Sequence, residues 1–434
     1  MREADSVRSV DVAIYATMDE QPRPIASQDL PLNDPVSALT SRWVGALKLT
    51  PAIAAILLTL AMMGGASCGK SIFPEATNSA TATATITVSP TAGHYLYSSN
   101  NGDGKVAEFS RNTKTGALSL IGSVAAGSTG GPIGIANGPG AQYVYAANSV
   151  DGKIQEYKVP AASGKLTSIG TIATGSQPQW IAVNPAGAYA FATNQGAGTI
   201  SQYTINAATG VLTANGGAFS SVLLAKPQGA VATNSYLFVA DNVNGSVSSF
   251  PIGATGTLSA GTTAIVGNGP GVSFPTALTL DPVTNPALQQ GYLYAADSIT
   301  GFVYSIGYNL LNGQPAYLNP YPSSTAGLGG MAIAQLGASE FLYVANQKLT
   351  PPSITAFIVN SGVLTFAAIY PDPSLNLPTG IAIGPGNNNL YVANQGNGTI
   401  SQFSINQSTG ALTFTKVVNT ESATSAPLYL TITD

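Results

Sequence analysis

One hairpin-like stretch occurs seven times along the chain and constrains its fold more than any other feature. In the last copy, residues 391–403, an aromatic and apolar run ends on Asn394, a Gly-rich turn follows, and an alternating run resumes at Thr399. The Asn or Asp that closes the first run recurs at Asn100, Asn148, Asn194, Asp241, Asp297, Asn346 and Asn394. Neighbouring copies are 48, 46, 47, 56, 49 and 48 residues apart.

This period is typical of β-propeller blades. Repeats of roughly 40–50 residues built from short strands indicate blades, and propellers typically contain about 4–8 of them. We therefore predict an all-β fold, a seven-bladed β-propeller of four-stranded antiparallel blades.

Each repeat contains four strand signals, named A to D. In the second full unit, strand A is the apolar run Pro178–Val183, and strand B is Tyr189–Asn194. Strand C, Thr199–Ile205, alternates apolar and polar residues with the period of two that a half-buried strand requires. A Thr-Gly-x-Leu or Ser-Gly-x-Leu turn then leads into strand D, and its Gly supplies the positive φ of a short turn.

The two ends of the repeat region predict how the ring closes. Residues 427–433 repeat strand A with no B, C or D after them, whereas the first strong strand, residues 95–97, is a B. We expect the C-terminal strand to complete the first blade, which leaves no open sheet edge. Residues 86–90 are a competing candidate for the same position.

The interval between Asp241 and Asp297 contains about eight extra residues relative to the usual blade spacing, around residues 268–274 and 285–291. Departures from a repeat can carry function, but surface insertions also cost little stability. Both interpretations remain open at this point.

Composition excludes one class of partner. Charged residues make up 8% of the chain, against about 25% in typical domains, and Gly, Ser, Thr and Asn occupy the positions that Lys and Glu usually fill. This composition suits an environment outside the cytoplasm. The net charge is −4, without a long basic run, so we expect no binding to nucleic acid.

The N-terminal region predicts export. Arg42 and Lys48 precede an apolar run over residues 52–63, and small residues then lead to Cys68, the only cysteine. This order is typical of a secretory signal, and its exit resembles a bacterial lipoprotein cleavage site in which Cys68 becomes the lipidated N-terminus. Gly65 stands where that motif usually has Leu. An ordinary cleaved signal and an uncleaved anchor are the alternatives.

The expected domain organisation follows from these signals. Residues 1–50 are predicted to be a disordered leader, 51–68 a signal peptide or lipoprotein signal, 69–90 a flexible Ala/Thr/Ser-rich tether, and 91–434 the propeller. We expect an exported monomer on the bacterial cell envelope that meets the membrane only through the N-terminal lipid or anchor.

The repeat motifs resemble those of a known family. The run Pro-x-x-Ile-Ala-Val-x-Pro-x-Gly-x-Tyr, then Asn-x-Gly-x-Gly-Thr-Ile-Ser-x-Tyr-x-Ile-Asn, then Thr-Gly-x-Leu-Thr is similar to repeats of the seven-bladed lactonase-like propellers. These are related to bacterial 6-phosphogluconolactonase, to fungal carboxymuconate cyclase and to Tyr-Val-Thr-Asn-type bacterial surface proteins. The resemblance covers residues 95–434 and implies the same fold.

The resemblance also implies a place for catalysis. Enzymes of this family are understood to use His, Arg and acidic side chains in the central channel to hold an anionic substrate and move protons. After Cys68 the only His is His94 and the only Arg is Arg111. Both fall in A–B or C–D turns, on the face opposite the one where binding is expected, so no catalytic residue of the family carries over to a matching position.

The remaining candidate site residues are polar groups near the expected mouth of the funnel: Asp103, Asp151, Asp241, Asp297, Lys348, Gln177 and Gln228. One interpretation is a site for a cation or a polar ligand. The other is that the Asp side chains cap turns. Trp180 is close to the same side and is expected in the core.

Two functional hypotheses follow. The first is a non-catalytic binding or scaffold module whose partner is a small polar ligand or an envelope protein. The alternative is a lactonase-like hydrolase acting in the central channel, for which a general base and oxyanion stabilisation would be needed. The scarcity of titratable groups favours the first. No cofactor and no metal site are expected, because no Cys/His cluster, phosphate loop or nucleophile motif is present.

Overall fold

The computed structural model describes residues 94–127, 131–267, 269, 272–324 and 327–433. Within these ranges, strands in chain order form seven antiparallel sheets. The predicted leader, signal and tether, Cys68 included, lie outside the described residues. The prediction of an all-β, seven-bladed propeller with four-stranded antiparallel blades is confirmed.

Within each blade the strands follow one another from the innermost to the outermost. Blade 1 contains β29 (Pro427–Thr433), β1 (Tyr95–Asn100), β2 (Lys105–Arg111) and β3 (Leu118–Ala125). Blade 2 contains β4 (Pro132–Asn137), β5 (Tyr143–Asn148), β6 (Lys153–Lys158) and β7 (Thr167–Ala173). Blade 3 contains β8 (Pro178–Val183), β9 (Tyr189–Asn194), β10 (Thr199–Ile205) and an outer edge in two pieces, β11 (Leu212–Ala214) and β12 (Phe219–Ser220). Blade 4 contains β13 (Pro227–Ala232), β14 (Tyr236–Asp241), β15 (Ser246–Pro251) and β16 (Thr262–Ile265).

The last three blades follow the same order. Blade 5 contains β17 (Pro275–Leu280), β18 (Gln290–Asp297), β19 (Phe302–Asn309) and β20 (Pro315–Pro322). Blade 6 contains β21 (Leu328–Leu336), β22 (Ser339–Asn346), β23 (Ser353–Asn360) and β24 (Val363–Pro371). Blade 7 contains β25 (Pro378–Ile383), β26 (Asn389–Asn394), β27 (Thr399–Ile405) and β28 (Leu412–Asn419). Short 3-10 turns lie at Pro139–Ala141, Pro286–Leu288 and Pro385–Asn387.

The innermost strands contact one another in cyclic order around the ring. The C-terminal strand β29 pairs antiparallel with β1, with Leu96 opposite Ile432, and contacts β4 and β25 on its two sides. The competing segment, residues 86–90, lies outside the described residues.

The inner strands approach one another closely because several of them have Gly at the third position. A Cβ on Gly134 would lie 2.7 Å from the Cα of Trp180, and one on Gly380 would lie 2.8 Å from the Cα of Tyr429. In blade 6, Leu328 faces Asn346 in the position that an opening Pro occupies in the other blades, as Pro378 faces Asn394 in blade 7.

At four of the seven junctions, adjacent blades are joined by a hydrogen bond from a Tyr hydroxyl of strand B to the Gly carbonyl of the next blade's C–D turn. The donor and acceptor pairs are Tyr97 and Gly164 at 2.8 Å, and Tyr145 and Gly210, Tyr343 and Gly410, and Tyr391 and Gly116, each at 2.7 Å. The Tyr side chains are fully buried. Buried hydrophobic clusters lie between neighbouring blades around these bonds.

A second interblade contact supports the same turn. A strand-C side chain accepts a hydrogen bond from the backbone N–H of the Leu that follows the turn Gly in the next blade. The acceptor and donor pairs are Glu108 and Leu166, Glu156 and Leu212, Gln202 and Leu258, and Gln402 and Leu118. These repeat units are therefore anchored by their neighbours, which explains why the turn sequence recurs.

In the part of the chain that the structure describes, no helix is both long enough and apolar enough to cross a membrane.

The turn glycines give a direct test of the contact between blades. Gly210 has a φ of +72°, and a Cβ there would lie 2.1 Å from the Tyr143 ring, whereas Gly216 in the same blade has a φ of +80° and open space around it. We expect Gly216→Ala to lower the free energy of unfolding by about 1 kcal/mol, the cost of a side chain in this conformation. Gly210→Ala should lower it by about 2 kcal/mol more, because the side chain also overpacks the contact. Urea unfolding measures both, and equal losses would contradict the interblade assignment.

Candidate functional site

One face of the ring, called the funnel face, carries the D–A connections and the B–C turns. A backbone hydrogen bond ties these two loops together in every blade. The residue after the closing Asn or Asp donates its N–H to the carbonyl of the residue that precedes strand A. The pairs are Asn101 and Ala426, Ser149 and Gly131, Gln195 and Gln177, Asn242 and Lys226, Ser298 and Phe274, Gln347 and Gly327, and Gln395 and Leu377, at 2.8–3.3 Å.

The donors of this ring of bonds all have polar side chains that are half-buried on the funnel face. They are Asn101, Ser149, Gln195, Asn242, Ser298, Gln347 and Gln395. The prediction from the sequence named the closing residue and missed the position after it. Its signal was present, since each of the seven copies has a polar, uncharged side chain there.

Two of the predicted site residues, Asp241 and Asp297, are fully buried within the loops. Oδ2 of Asp241 accepts from the N–H groups of Ala225 at 2.6 Å and Lys226 at 2.9 Å. Oδ2 of Asp297 accepts from the N–H of Phe274 at 2.7 Å, and in both residues Oδ1 caps the B–C turn. Both carboxylates therefore hold the loops, as the turn-capping interpretation describes.

The choice between Asp and Asn at the closing position depends on what the D–A connection presents. Nδ2 of Asn148 donates to the carbonyl of Ala126, and Nδ2 of Asn100 to the carbonyl of Thr420. The connection faces Asp241 with N–H groups instead, which only an acceptor can satisfy.

The other predicted residues lie in different surroundings. Asp103 accepts from the Ser425 hydroxyl at 2.7 Å and from the backbone N–H of Lys105 at 3.1 Å, so it also caps a turn. Lys348 is exposed, and its stem lies beside Gly327. Gln228 is half-buried on β13.

Two of the predicted residues come together at one cavity. A cavity of about 650 Å³ opens on the funnel face between blades 2 and 3. Its lining residues are Ser149, Val150, Asp151, Gly152, Ser176, Gln177, Gln179 and Gln195. Asp151 and Gln177 were expected near the mouth, and the structure adds Gln179 and Gln195. One carboxylate and three carboxamides thus line the same space.

The position of Asp151 is set by its own turn and by a glycine of the preceding connection. Its backbone N–H donates to Oδ1 of Asn148 at 3.0 Å. A Cβ on Gly127 would lie 2.3 Å from Oδ2 of Asp151 and 2.2 Å from Nδ2 of Asn148. Only a residue without a side chain leaves room for the carboxylate at this point.

The glutamines are held by the loop bonds of blade 3. Gln177 has a φ of +52°, and its carbonyl accepts from the N–H of Gln195 at 3.0 Å. Gly196 donates to the carbonyl of Ser176 at 3.1 Å, and its missing Cβ leaves room for Oε1 of Gln177. Gln179 belongs to β8, an inner strand, so it extends the polar lining toward the axis of the ring.

Next to this lining the inner strands present two large aromatic rings. Trp180 of β8 and Tyr429 of β29 are half-buried, and their ring centroids lie 4.5 Å apart at 73°. Both strands flank β4, whose Gly134 leaves room for the contact. Trp180, expected in the core, therefore packs within the layer of inner strands.

Arg111 and His94, the residue types that enzymes of the resembling family are understood to use, lie away from this cavity. Nη2 of Arg111 and Nδ1 of His94 are 3.3 Å apart, at the end of blade 1 that carries the A–B and C–D turns. Among the described residues, no group of three or more His, Cys, Asp or Glu side chains is placed to hold a metal ion.

Comparison with known proteins gives one family match. The family described as "Lactonase, 7-bladed beta-propeller" matches residues 69–171, 128–222, 151–274 and 290–426. No curated protein sequence matches the chain significantly.

Solved structures share the fold at low sequence identity. A protein from Bacteroides fragilis assigned as a 6-phosphogluconolactonase is 19% identical, with a TM-score of 0.66 over 80% of this chain and 99% of its own. The periplasmic gluconolactonase PpgL of Pseudomonas aeruginosa is 18% identical, with a TM-score of 0.64 over 79% of this chain and 99% of its own. A Lactobacillus plantarum protein is 18% identical, with a TM-score of 0.65 over the same shares.

These matches correct the main functional prediction. The expectation of a non-catalytic binding or scaffold module is wrong, because the family that matches most of the chain is that of the seven-bladed lactonase propellers. The scarcity of His and Arg does not decide against hydrolysis, since a carboxylate and carboxamides lie together at the funnel-face cavity. The alternative prediction, a lactonase-like hydrolase, is the better supported of the two.

The capping role of Asp241 can be separated from a role in binding. In Asp241→Asn, an NH₂ group would face the N–H donors of Ala225 and Lys226, although Asn occupies the same position in five other blades. We expect the free energy of unfolding to fall by about 2 kcal/mol, and Asp103→Asn to change it by less than about 0.5 kcal/mol. Urea unfolding of both variants provides the comparison, and an unchanged Asp241→Asn would refute the capping role.

Proposed function

Because the chain belongs to the lactonase family of seven-bladed β-propellers, we propose that it is a hydrolase that opens a lactone ring at the funnel-face cavity. One observation carries the proposal: the Asp151 carboxylate and the carboxamides of Gln177, Gln179 and Gln195 line one cavity of about 650 Å³. Lactone hydrolysis needs a base for water and donors for the developing oxyanion, and these side chains can provide both.

Asp151 would act as the general base. Its carboxylate takes a proton from the attacking water as the new C–O bond forms, and the carbonyl oxygen gains negative charge. Carboxamide N–H groups stabilise that charge in the tetrahedral intermediate. When the ring C–O bond breaks, Asp151 returns the proton to the departing alkoxide. Lactone and water thus give one hydroxy acid, and the enzyme ends in its starting state.

The cavity favours a neutral, hydroxylated lactone over a phosphorylated one. The glutamine side chains offer both donors and acceptors, which suits the hydroxyl groups of a sugar lactone. A phosphate would bring about two negative charges close to the Asp151 carboxylate, and the repulsion would weaken binding. Of the activities attributed to similar proteins, gluconolactone hydrolysis fits this lining better than 6-phosphogluconolactone hydrolysis.

Exchange of one carboxylate tests this assignment. We expect Asp151→Asn to lower kcat/KM for glucono-1,5-lactone by about 10²- to 10⁴-fold, because the base is lost. Asp103 occupies the same place in the B–C turn of blade 1, three residues after the closing Asn, so Asp103→Asn is a matched control. Titration of the released acid measures the rate. Equal rates for the Asp151 and Asp103 variants would exclude Asp151 as the base.

We also propose that the protein works outside the cytoplasm as a lipoprotein attached through Cys68. The apolar run and small-residue exit before Cys68 support this, and a similar protein is described as periplasmic. The hydrolase would then meet lactones formed outside the inner membrane.

Metabolic labelling in a bacterial host tests the attachment. We expect an alkyne-tagged palmitate to label the full chain and Cys68→Ser to abolish the labelling, because the thiol is the lipid acceptor. A secreted Cys68→Ser product with an intact propeller would support the assignment. Equal labelling of both proteins, or none of the wild type, would contradict it.

A further inference from the structure

The hydrogen bond that joins neighbouring blades is redirected between blades 5 and 6. By the pattern of the four junctions that have this bond, the Tyr294 hydroxyl would donate to the carbonyl of Gly362. Instead it donates to Oδ2 of Asp281 at 3.1 Å, and the Ser305 hydroxyl donates to the Gly362 carbonyl at 2.5 Å. The change occurs in the blade with the unusual spacing, and it brings a carboxyl into the interblade layer.

A second carboxyl lies beside the first. Glu340 of β22 and Asp281, which follows β17, are within hydrogen-bonding reach of each other. Glu340 is 7% exposed and Asp281 4% exposed. The residues at the position of Glu340 in the other six blades carry no carboxyl: His94, Gln142, Ala188, Ser235, Gly291 and Asn388. The pair is therefore specific to this junction and is no part of the repeat.

One oxygen of this buried pair is unsatisfied. Oδ1 of Asp281 accepts from the N–H of Val283 at 2.9 Å, and its Oδ2 accepts from Tyr294. Oε1 of Glu340 is buried and has no hydrogen-bond partner among the described residues. A buried polar atom without a partner is costly, so this oxygen would gain from a ligand bound beside it.

The pair borders a small cavity on the face opposite the funnel. Its volume is about 150 Å³, and it is lined by Asp281, Val283, Thr284, Asn285, Pro286, Tyr292, Glu340 and Ser361. Besides the two carboxyls, the polar lining groups are hydroxyls and one carboxamide. Most of the lining comes from the insertion that follows β17. Neither the blade fold nor the proposed hydrolysis requires this insertion.

We propose that this cavity binds a hard divalent cation, of which Ca²⁺ is the best fit. Calcium takes six to eight oxygen ligands from carboxylates, carbonyls, carboxamides and water. Asp281 and Glu340 provide the charge, Asn285, Thr284 and Ser361 further oxygens, and the cavity has room for waters. The cation would tie the insertion of blade 5 to blade 6, where the Tyr–Gly hydrogen bond is absent.

Burial makes two charges at this pair unfavourable in the absence of a cation. Burial first, and then the neighbouring Asp281, raises the pKa of Glu340 to about 7, and burial also raises the pKa of Asp281.

Terbium luminescence tests the site, because Tb³⁺ replaces Ca²⁺ and is excited through nearby tyrosines such as Tyr292 and Tyr294. With the full chain we expect sensitised emission that Ca²⁺ displaces. Glu340→Gln should abolish the emission and the rise in melting temperature that Ca²⁺ causes.

A matched control is available in the same protein. Glu156 is also buried with a raised pKa, but it accepts the Leu212 N–H in a role that glutamine fills at Gln202. Glu156→Gln should therefore keep the emission of the wild type. Absence of emission from the wild type at pH 8, or equal emission from Glu340→Gln, would overturn the proposal. Lactone hydrolysis by Asp151 is independent of either result.

Discussion

The contact between a strand-B aromatic ring and the turn glycine of the next blade is the interaction on which the rest of this structure depends. A propeller blade buries its two faces only against its neighbours, so each junction must specify both distance and angle. At four junctions a Tyr hydroxyl fixes the angle through the Gly carbonyl, and the missing Cβ of the turn glycine fixes the distance to the neighbouring blade. Because these contacts are satisfied without ions, the chain can form a ring with very few charged residues.

The fold was predictable because this junction leaves a strong trace in the sequence. A turn glycine, a following Leu, and an aromatic residue five or three positions before the closing Asn must recur wherever a blade meets the next. The site was harder to predict. Asp103 and Asp151 hold the same place in their turns, yet Asp103 accepts from Ser425 of a distant connection while Asp151 lines an open cavity. That difference is set by residues of the neighbouring blade, which no local pattern contains.

The same reasoning explains why the sequence did not distinguish the structural acidic residues from the functional ones. Asp241 is buried because its D–A connection faces it with N–H groups, and Glu340 is buried because an insertion folds over it. Both look like ordinary surface acids in the sequence. The functional and structural acids differ only in what surrounds them: backbone donors for Asp241, carboxamides and solvent space for Asp151, and a second carboxyl for Glu340.

A crystal structure with gluconolactam tests the hydrolase assignment most directly, since this neutral analogue replaces the ring oxygen by N–H and resists hydrolysis. We predict that the analogue binds between blades 2 and 3, with its hydroxyl groups hydrogen-bonded to Gln177, Gln179 and Gln195, and its carbonyl carbon facing a water held by Asp151. Binding elsewhere on the ring, with this cavity holding solvent alone at saturating analogue, would contradict the assignment.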